Sequence, residues 1–438
     1  LDPLSALEIL QLILDLNKKM NITVIIVEHR LELVIKYSDR LILMRDGRIV
    51  YDSSPIEALL SEEALMAGIG VPKTVRLYSK LAKRGVSTAV FEKKFLGYGS
   101  TGRCGGGIRQ QFSTEENILL AMKSVEIFEK MLEWGWDTEY YQGGYLIIAH
   151  TEEEVKQFRK NMELQRSLGL KVEWLEGKEI NEIVPELDVD GIGAIAATFC
   201  PTDGHAYPPK VVWEYANAAR KMGAEIYQRT EIPGIIVEEG GAMGVINSRG
   251  KVKAKYVVNA AGPWSPKIAE MAGVKLPNKP YRHEIMITEP LKRFLHPMVI
   301  SFKDNVYFRQ TMRGGIIGGW GDPNEKPGYN FSSSLHFIVK MAKLLRKYIP
   351  SLSRIRILRQ WAGLYDVTPD AKPILGPVEE VKNFLQMNGY SGHGFMVAPM
   401  CAVLLAQYIT GEKLSLPLEP FSIKRFEKGI IEEVSVVG

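Results

Sequence analysis

The sequence predicts an α/β fold, and three observations predict it. Helical and strand periodicities alternate over the first 66 residues. A helix-end–turn–strand string at 81–95 and two strand–turn–helix strings rich in small residues, at 255–273 and 388–411, follow. Between them lie amphipathic helices and short apolar runs that suit a mixed sheet. The chain of 438 residues is 46% hydrophobic and 24% charged, a globular composition that excludes global disorder. At roughly 150 residues per domain it holds one large domain or up to three. Lys+Arg 55 against Asp+Glu 51 leaves +4, too thinly spread to signal nucleic acid or a membrane surface. The longest apolar run, Phe395 to Ala406, contains Pro399 and is shorter than the roughly 18 residues of a membrane span. Cys104, Cys200 and Cys401 form no CxxC pair, so neither a disulfide framework nor a metal site is expected. A reducing cytoplasm fits this usage, and no signal peptide is read.

Taken in order, Asp2 and Ser5 are N-cap candidates for an amphipathic helix Ala6–Lys19, with Leu7, Leu10 and Leu14 at helical spacing. The β-branched run Thr23–Val27 reads as a short buried strand. Leu41–Met44 and Arg48–Tyr51 flank Asp46-Gly47, the strongest hairpin signal in the chain. Residues 57–66 read as helix. LAKRGVSTAVFEKKF is a helix end, Gly85, a strand and the acidic Glu92. That is the second half of a Rossmann-type βαβ unit, whose acid binds adenosine ribose hydroxyls. GYGSTGRCGGGIRQQF follows, where glycines let backbone approach a flat or anionic ligand and hydroxyls can donate to phosphate. Ordinary surface loops look the same, so this string alone leaves both readings open.

Asn117–Trp134 and Glu152–Leu168 are amphipathic helices. Tyr145–Ala149, Tyr281–Thr288, Val306–Gln310 and Gly315–Gly319 are expected strands. Leu335–Tyr348 is a basic helix with a solvated face. KYVVNAAGPWSPKIAEMAG is a strand, a tight turn and a helix. NGYSGHGFMVAPMCAVLLAQYITG is a strand end, a glycine turn and a long apolar helix with Pro399 in its first turn. Its N-terminus can present N–H groups to electron-rich atoms of a bound ring.

Two resemblances add to this reading. LDPLSALEIL and IIVEHRLELVIKYSDRLILMRDGRIVYDSSP resemble the last part of an ABC transporter ATP-binding subunit, covering residues 1–75 as an α/β fragment. The resemblance makes LDP a D-loop and His29 a γ-phosphate sensor; an ordinary surface histidine is the other reading. No GxxxxGK[ST] phosphate cradle is present, so ATP hydrolysis is not expected.

From Leu81 to about Phe426 the order of motifs, GSTGRCGGGIRQQF and GYSGHGFM above all, resembles the D-amino-acid oxidase-like flavoproteins. Within them it is similar to sarcosine oxidase β-subunits and archaeal L-proline dehydrogenase β-subunits. The resemblance implies FAD, and hydride abstraction beside the secondary amine of a small amino acid. It implies a Rossmann-like FAD-binding domain (about 76–112, 193–273 and 354–415) interleaved with a mixed-sheet substrate domain (about 113–192 and 274–353), together spanning 76–438. Partner subunits that accept the electrons are implied too.

Carried over position by position, Glu92 would hold the FAD ribose. Ser100, Thr101, Arg103, Gly105, Gly106, Gly107 and Ile108 would run beneath pyrophosphate and flavin. Ala260, Ala261, Gly262 and Trp264 would close the adenosine side, and Gly389, Gly392, Gly394, Phe395 and Met396 the pyrimidine end. Arg109 would clamp a substrate carboxylate with two parallel hydrogen bonds, or form a structural ion pair. His283, Tyr307, Arg309 and His393 are further polar candidates, each with an ordinary structural alternative.

Three departures stand out. The family's GLRP step reads Gly363-Leu364-Tyr365-Asp366. The lysine that activates oxygen in monomeric sarcosine oxidases would fall near Ile317 and is absent, which argues for a dehydrogenase. The opening GxGxxG is imitated by Gly68 and Gly70, with Lys73 at the third place, so the first strand and phosphate turn are missing or replaced. The alternatives are a cofactor-poor fusion scaffold and, third, an ABC-type nucleotide-binding module.

Overall fold

The computed structural model describes residues 17, 23–26, 38–45, 48–54 and 86–427. The expected helix Ala6–Lys19 (apart from helical Asn17), His29, the Asp46-Gly47 turn, the helix over 57–66 and Gly68, Gly70 and Lys73 lie outside the described residues. The chain divides into two compact units. One comprises Leu1–Thr88, Glu129–Asp137 and Asn217–Glu225, the other Ala89–Phe128, Thr138–Ala216 and Ile226–Gly438.

In the first unit β1 (Leu41–Arg45) and β2 (Arg48–Ser53) pair antiparallel, with Arg45 opposite Arg48, as the hairpin signal requires. The expected strand at Thr23–Val27 is a correction. Residues 23–26 form no strand and are exposed, Ile25 at 85%. A β-branched run becomes a strand only when a neighbour takes its backbone N–H and C=O groups, and no described strand pairs with it.

The second unit is built around an eight-stranded sheet. In chain order its strands are β5 (Tyr145–Ala149), β6 (Glu173–Glu176), β7 (Ala196–Cys200), β14 (Lys279–Pro290), β15 (Met298–Ser301), β16 (Val306–Gln310), β17 (Gly315–Trp320) and β18 (Ile357–Val367). Their spatial order is β18-β14-β17-β16-β15-β5-β7-β6. All pairs are antiparallel except β15 with β5. The smaller sheets are β3 (Ala89–Glu92) with β9 (Glu225–Gln228), β4 (Gly107–Ile108) with β8 (Gly204–His205), β10 (Gly234–Glu238) with β11 (Gly241–Asn247) and β12 (Gly250–Lys253), and a set of three. That set runs β13 (Val257–Asn259), β20 (Phe384–Asn388), β19 (Ile374–Pro377), with β13 parallel to β20.

Five longer helices accompany the sheets: α1 (Glu115–Glu133), α2 (Glu152–Ser167), α3 (Pro208–Lys221), α4 (Leu335–Tyr348) and α5 (Gly394–Thr410). Helix α4 shows how sequence sets packing. Ser334 caps it by accepting the Phe337 N–H. Phe337, Met341, Leu344, Leu345 and Tyr348 form one stripe, buried against Met286, Phe308, Ile316 and Trp320 of the large sheet. Lys343, Arg346 and Lys347 lie on the exposed side, the solvated face expected for this helix.

In α5, Pro399 is the sixth residue and sits in the second turn, not the first. Gly392, at φ +88°, ends the preceding turn, so the helix starts immediately after His393. Among the described residues no helix is long and apolar enough to cross a membrane, all three cysteines are free thiols, and no cluster has metal-ligand character.

Candidate cofactor and substrate site

Period-two alternation decides which side chains of the large sheet reach the site. Val306 and Phe308 of β16, and Ile316 and Trp320 of β17, point into the core under α4. Tyr307, Arg309 and Gly319 alternate with them on the opposite face. There His283 of β14 stacks on Tyr307 (centroids 5.6 Å, 11°) and on Tyr365 of β18 (4.4 Å, 9°). Its Nε2 lies 3.2 Å from the Tyr307 hydroxyl. Strand β17 runs between β14 and β16. A Cβ at Gly319 would come within 2.6 Å of His283 Nε2 and 2.7 Å of the Tyr307 hydroxyl, so the bare glycine is what lets the two rings meet. Burial pushes His283 down to about 4 and both tyrosines up, so the three rings are neutral near pH 7.

The glycine-rich loop is fastened to this sheet. Ser100 Oγ donates to the Leu364 carbonyl at 2.6 Å, and Arg103 donates to the carbonyls of Tyr98 and Ala362, both at 3.0 Å. Arg309 donates through Nε (2.8 Å) and Nη2 (2.6 Å) to the Gly105 carbonyl, and burial lowers it to about 10. The Thr101 carbonyl accepts the Cys104 N–H. A Cβ at Gly105 would press on the Tyr307 ring at 3.2 Å. Gly106 and Gly107 are glycine for a different reason. A Cβ there would meet the Ala206 carbonyl at 2.3 Å and the Tyr145 hydroxyl at 1.8 Å, so protein fills the space beside them. Ile108 is wholly buried in β4.

Arg109 is buried, with Nη2 3.4 Å from His393 Nε2 and its guanidinium 4.5 Å over the Phe112 ring. Burial first, and the Arg109 charge second, hold His393 down at about 3, so it is neutral. His393 immediately precedes α5. Gly392 is bare because the Tyr365 ring is 2.6 Å from where its Cβ would lie. Gly394 opens the helix, Phe395 leans on Phe128 (5.7 Å), and Met396 is buried. The structure therefore joins Arg109 to His393, His283 to Tyr307 and Tyr365, and both glycine loops to those tyrosines.

The nucleotide-side candidates stand apart from that cluster. Glu92 closes β3, and its Oε1 accepts the Lys94 N–H at 2.7 Å. Ala260 is exposed; Ala261, Gly262 and Trp264 are half-buried beyond β13. Gly262, at φ +52°, faces open space, and Trp264 stacks on Tyr329 (5.9 Å) and Phe331 (6.1 Å).

At the carboxyl ends of parallel β13 and β20 lies a buried amide group. Gln386 Oε1 accepts from Asn259 (2.9 Å) and Asn388 (3.0 Å), while Gln386 Nε2 and Asn388 Oδ1 are buried without a partner. Carboxyl ends of parallel strands are where α/β sheets bind nucleotides. Orphaned amide atoms, the open backbone at Gly262 and the α5 N-terminus fit a flat, anionic dinucleotide such as FAD.

Sequence reasoning left out Tyr365, Gly319, Asn278, Asp366, Gln386 and Asn388. A signal existed for the third strand of the stack, because Tyr365-Asp366 stands in place of the arginine-proline of GLRP. For the amides there was none, since their value comes from strands distant in sequence.

Comparison with known proteins bears on the family and the fold. The chain is similar to the L-proline dehydrogenase from P. horikoshii, with 41% identity and a TM-score of 0.76 over 81% of this chain and 95% of that one. Sarcosine oxidase subunit beta of Arthrobacter sp is 29% identical over 380 residues, 85% of this chain and 93% of its own. Glycine oxidase from Geobacillus kaustophilus, at 24% identity and a TM-score of 0.72, covers 80% of this chain and 94% of its own and bears on the fold alone. Residues 79–408 match the DAO family, described as FAD dependent oxidoreductase, which is most of the chain. The chain belongs to the DAO family of FAD-dependent oxidoreductases.

Proposed function

We propose that the chain is the FAD-binding subunit of an amino-acid dehydrogenase that oxidises the C–N bond of a proline- or sarcosine-like secondary amine. The observation that carries this is the buried Arg109 beside neutral His393 and within electrostatic reach of Tyr365, which stacks on His283. A guanidinium there takes the substrate carboxylate in a two-bond fork and fixes which C–H is presented. The ring stack is neutral, and the other buried cation on this face, Arg309, is tied to the Gly105 carbonyl, so the reading gives the substrate carboxylate to Arg109. FAD, when bound, supplies the two-electron acceptor for the hydride.

The relatives named above support an amino-acid substrate, and the absence of a lysine near Ile317 of β17, where the resemblance to monomeric sarcosine oxidases would put one, supports a dehydrogenase that passes electrons to partner subunits. We read 76–112, 193–273 and 354–415 as the FAD-binding parts, and the free thiols as suited to the cytoplasm. Residues 1–75, which precede the family match, we read as a non-hydrolysing ABC-type segment.

The test is the visible spectrum of the purified chain, followed by dye-coupled and oxygen-coupled assays with proline, sarcosine and glycine. Flavin absorbance with dye-coupled turnover of a secondary amine supports the reading. A colourless chain that takes up no added FAD would point to the scaffold alternative. Turnover with oxygen alone would overturn the dehydrogenase assignment.

A further inference from the structure

The turn Gly389–Gly392, which leads into α5, is made of costly backbone. Gly389 (φ +74°), Ser391 (φ +48°) and Gly392 (φ +88°) all occupy the left-handed region, and serine does so at an energetic disadvantage. Such a turn persists only if its surroundings hold it. The holding comes from the C-terminal end of β18. Asp366 Oδ2 accepts the Gly389 N–H at 2.6 Å, and the Asp366 carbonyl accepts the Ser391 N–H at 2.8 Å. The Thr368 N–H donates to Ser391 Oγ at 3.0 Å. The other carboxylate oxygen, Oδ1, accepts from Asn278 Nδ2 at 2.5 Å.

We propose that Asp366 is a positioning residue for the cofactor: its carboxylate fixes the Gly389–Gly392 turn, and with it the start of α5, against the strand that carries Tyr365. The inference rests on the FAD reading above. Three observations carry it. Asp366 is buried, and its bonded partners are N–H donors rather than a cation. The turn it holds touches the Tyr365 ring through Gly392. The residue after that turn, His393, is the one that meets Arg109. One carboxylate thus ties the cofactor turn to both halves of the substrate site.

The carboxylate form makes both bonds as a full acceptor, whereas the acid form must also place a proton. The acceptor within reach is Asn278 Oδ1, which is buried and without a partner, and using it requires the Asn278 amide to turn over. Burial raises Asp366 to about 7, against the opposing pull of the Gly389 N–H and Asn278. Tyr329 and Tyr390 also face it; burial raises both, so they stay neutral through this range. The turn is therefore held best above pH 7.

The experiment measures FAD dissociation constants from pH 6 to pH 8.5 for the full chain and for Asp366→Asn. Amide-exchange protection of 389–393 is measured in the FAD-free protein at the same pH values. Wild type should bind FAD about fivefold tighter at the upper end, the difference between neutral and charge-assisted hydrogen bonds. Asp366→Asn should bind about tenfold more weakly at pH 8 and lose the pH step, with lowered protection in 389–393 and unchanged protection in α4. Ser391→Ala, which keeps the carboxylate, should weaken binding and retain the step. Equal FAD affinity and equal protection in wild type and Asp366→Asn would overturn the proposal. If wild type takes up no FAD, the cofactor reading fails, and the exchange measurement still decides whether Asp366 holds the turn.

Discussion

The large sheet and the nucleotide-side strands are held together in different ways. The eight strands from β18 to β6 form one continuous sheet, with Phe308, Met286 and Val306 fully buried against α4. The nucleotide side comes as separate sets among the described residues, β3 with β9 and β13-β20-β19, and leaves Val90 and Val258 exposed at 41% and 39%. It has a smaller apolar cluster of its own, with Val257 of β13 and Phe384 of β20 buried, and adds polar ties: the Asn259–Gln386–Asn388 amides and the Asp366 bonds to the turn before α5. The substrate face is stabilised by its own apolar core. On the cofactor face hydrogen bonds add to the apolar cluster, and Gln386 Nε2 and Asn388 Oδ1 are buried without a partner. A change in the apolar core under α4 should show as lost stability, and a change in the polar ties of the second region as lost cofactor affinity or altered pH dependence.

The sharpest test of that contrast is a pair of truncations. Phe308→Ala should destabilise the FAD-free chain by about 3–5 kcal/mol, because it empties a closed core. Val258→Ala, on a half-exposed strand, should cost no more than about 0.5 kcal/mol. Denaturant unfolding of the two variants measures both. Comparable losses would mean that Val258 is packed as closely as Phe308 in the folded chain.

Arg109→Ala is the next largest effect and belongs to the boundary between the regions. Removing a buried, charge-assisted partner costs roughly 2–5 kcal/mol, about 30- to several-thousandfold in kcat/KM. Arg109→Lys should rescue only part, since a point charge lacks the fork. Comparing proline or sarcosine with pyrrolidine or dimethylamine isolates the carboxylate. Equal losses for both classes would show that Arg109 supports the fold or the flavin.

How much was legible beforehand follows the same division. Strands β5 and β16 and helix α4 were read with the bounds the structure shows, because β5 is an unbroken apolar run, and β16 and α4 carry apolar residues at strand and helix spacing. The run at Thr23–Val27 had the right residues for a strand but no partner among the described strands. Gly105 and Gly392 were singled out, yet the sequence could not show that each rests on a tyrosine from another strand. Arg309 was read as polar and site-facing, and its attachment to the Gly105 carbonyl depends on a contact 204 residues apart. Asp366 was visible only as a departure from GLRP. Local periodicity is written in the chain; the value of a polar group is set by neighbours distant along it.

Gly319→Ala tests the ring stack at smaller amplitude. The added methyl would sit against both His283 and Tyr307, and forcing a methyl into a packed site costs about 1–3 kcal/mol. We expect a lowered Tm together with a lower kcat/KM, as the two rings separate. A variant with wild-type Tm and turnover would show that the stack is dispensable.

The smallest predicted effect separates the two regions by sign. His283, in the large sheet, is pushed down to about 4 by burial, while Asp366, at the cofactor turn, is pushed up to about 7 by burial. Between pH 4 and 6.5 the unfolded chain binds a proton at His283 and the folded chain does not, so this residue's contribution to stability rises with pH. Between roughly pH 4 and 7 the folded chain binds a proton at Asp366 that the unfolded chain has lost, so its contribution falls as pH rises. One pH unit below the ordinary histidine value, at pH 5.5, His283→Gln should recover up to about 1.4 kcal/mol relative to its offset at pH 8. Over pH 6 to 8, Asp366→Asn should gain a similar amount on wild type. This is compatible with the tighter turn above pH 7. Burial penalises the carboxylate relative to the unfolded chain, yet among folded molecules the carboxylate remains the better acceptor for Gly389. Unfolding free energies of the FAD-free variants at pH 5.5, 6, 7 and 8 provide the measurement. Slopes of the same sign for both variants would mean that one of the two side chains is solvated in the folded protein.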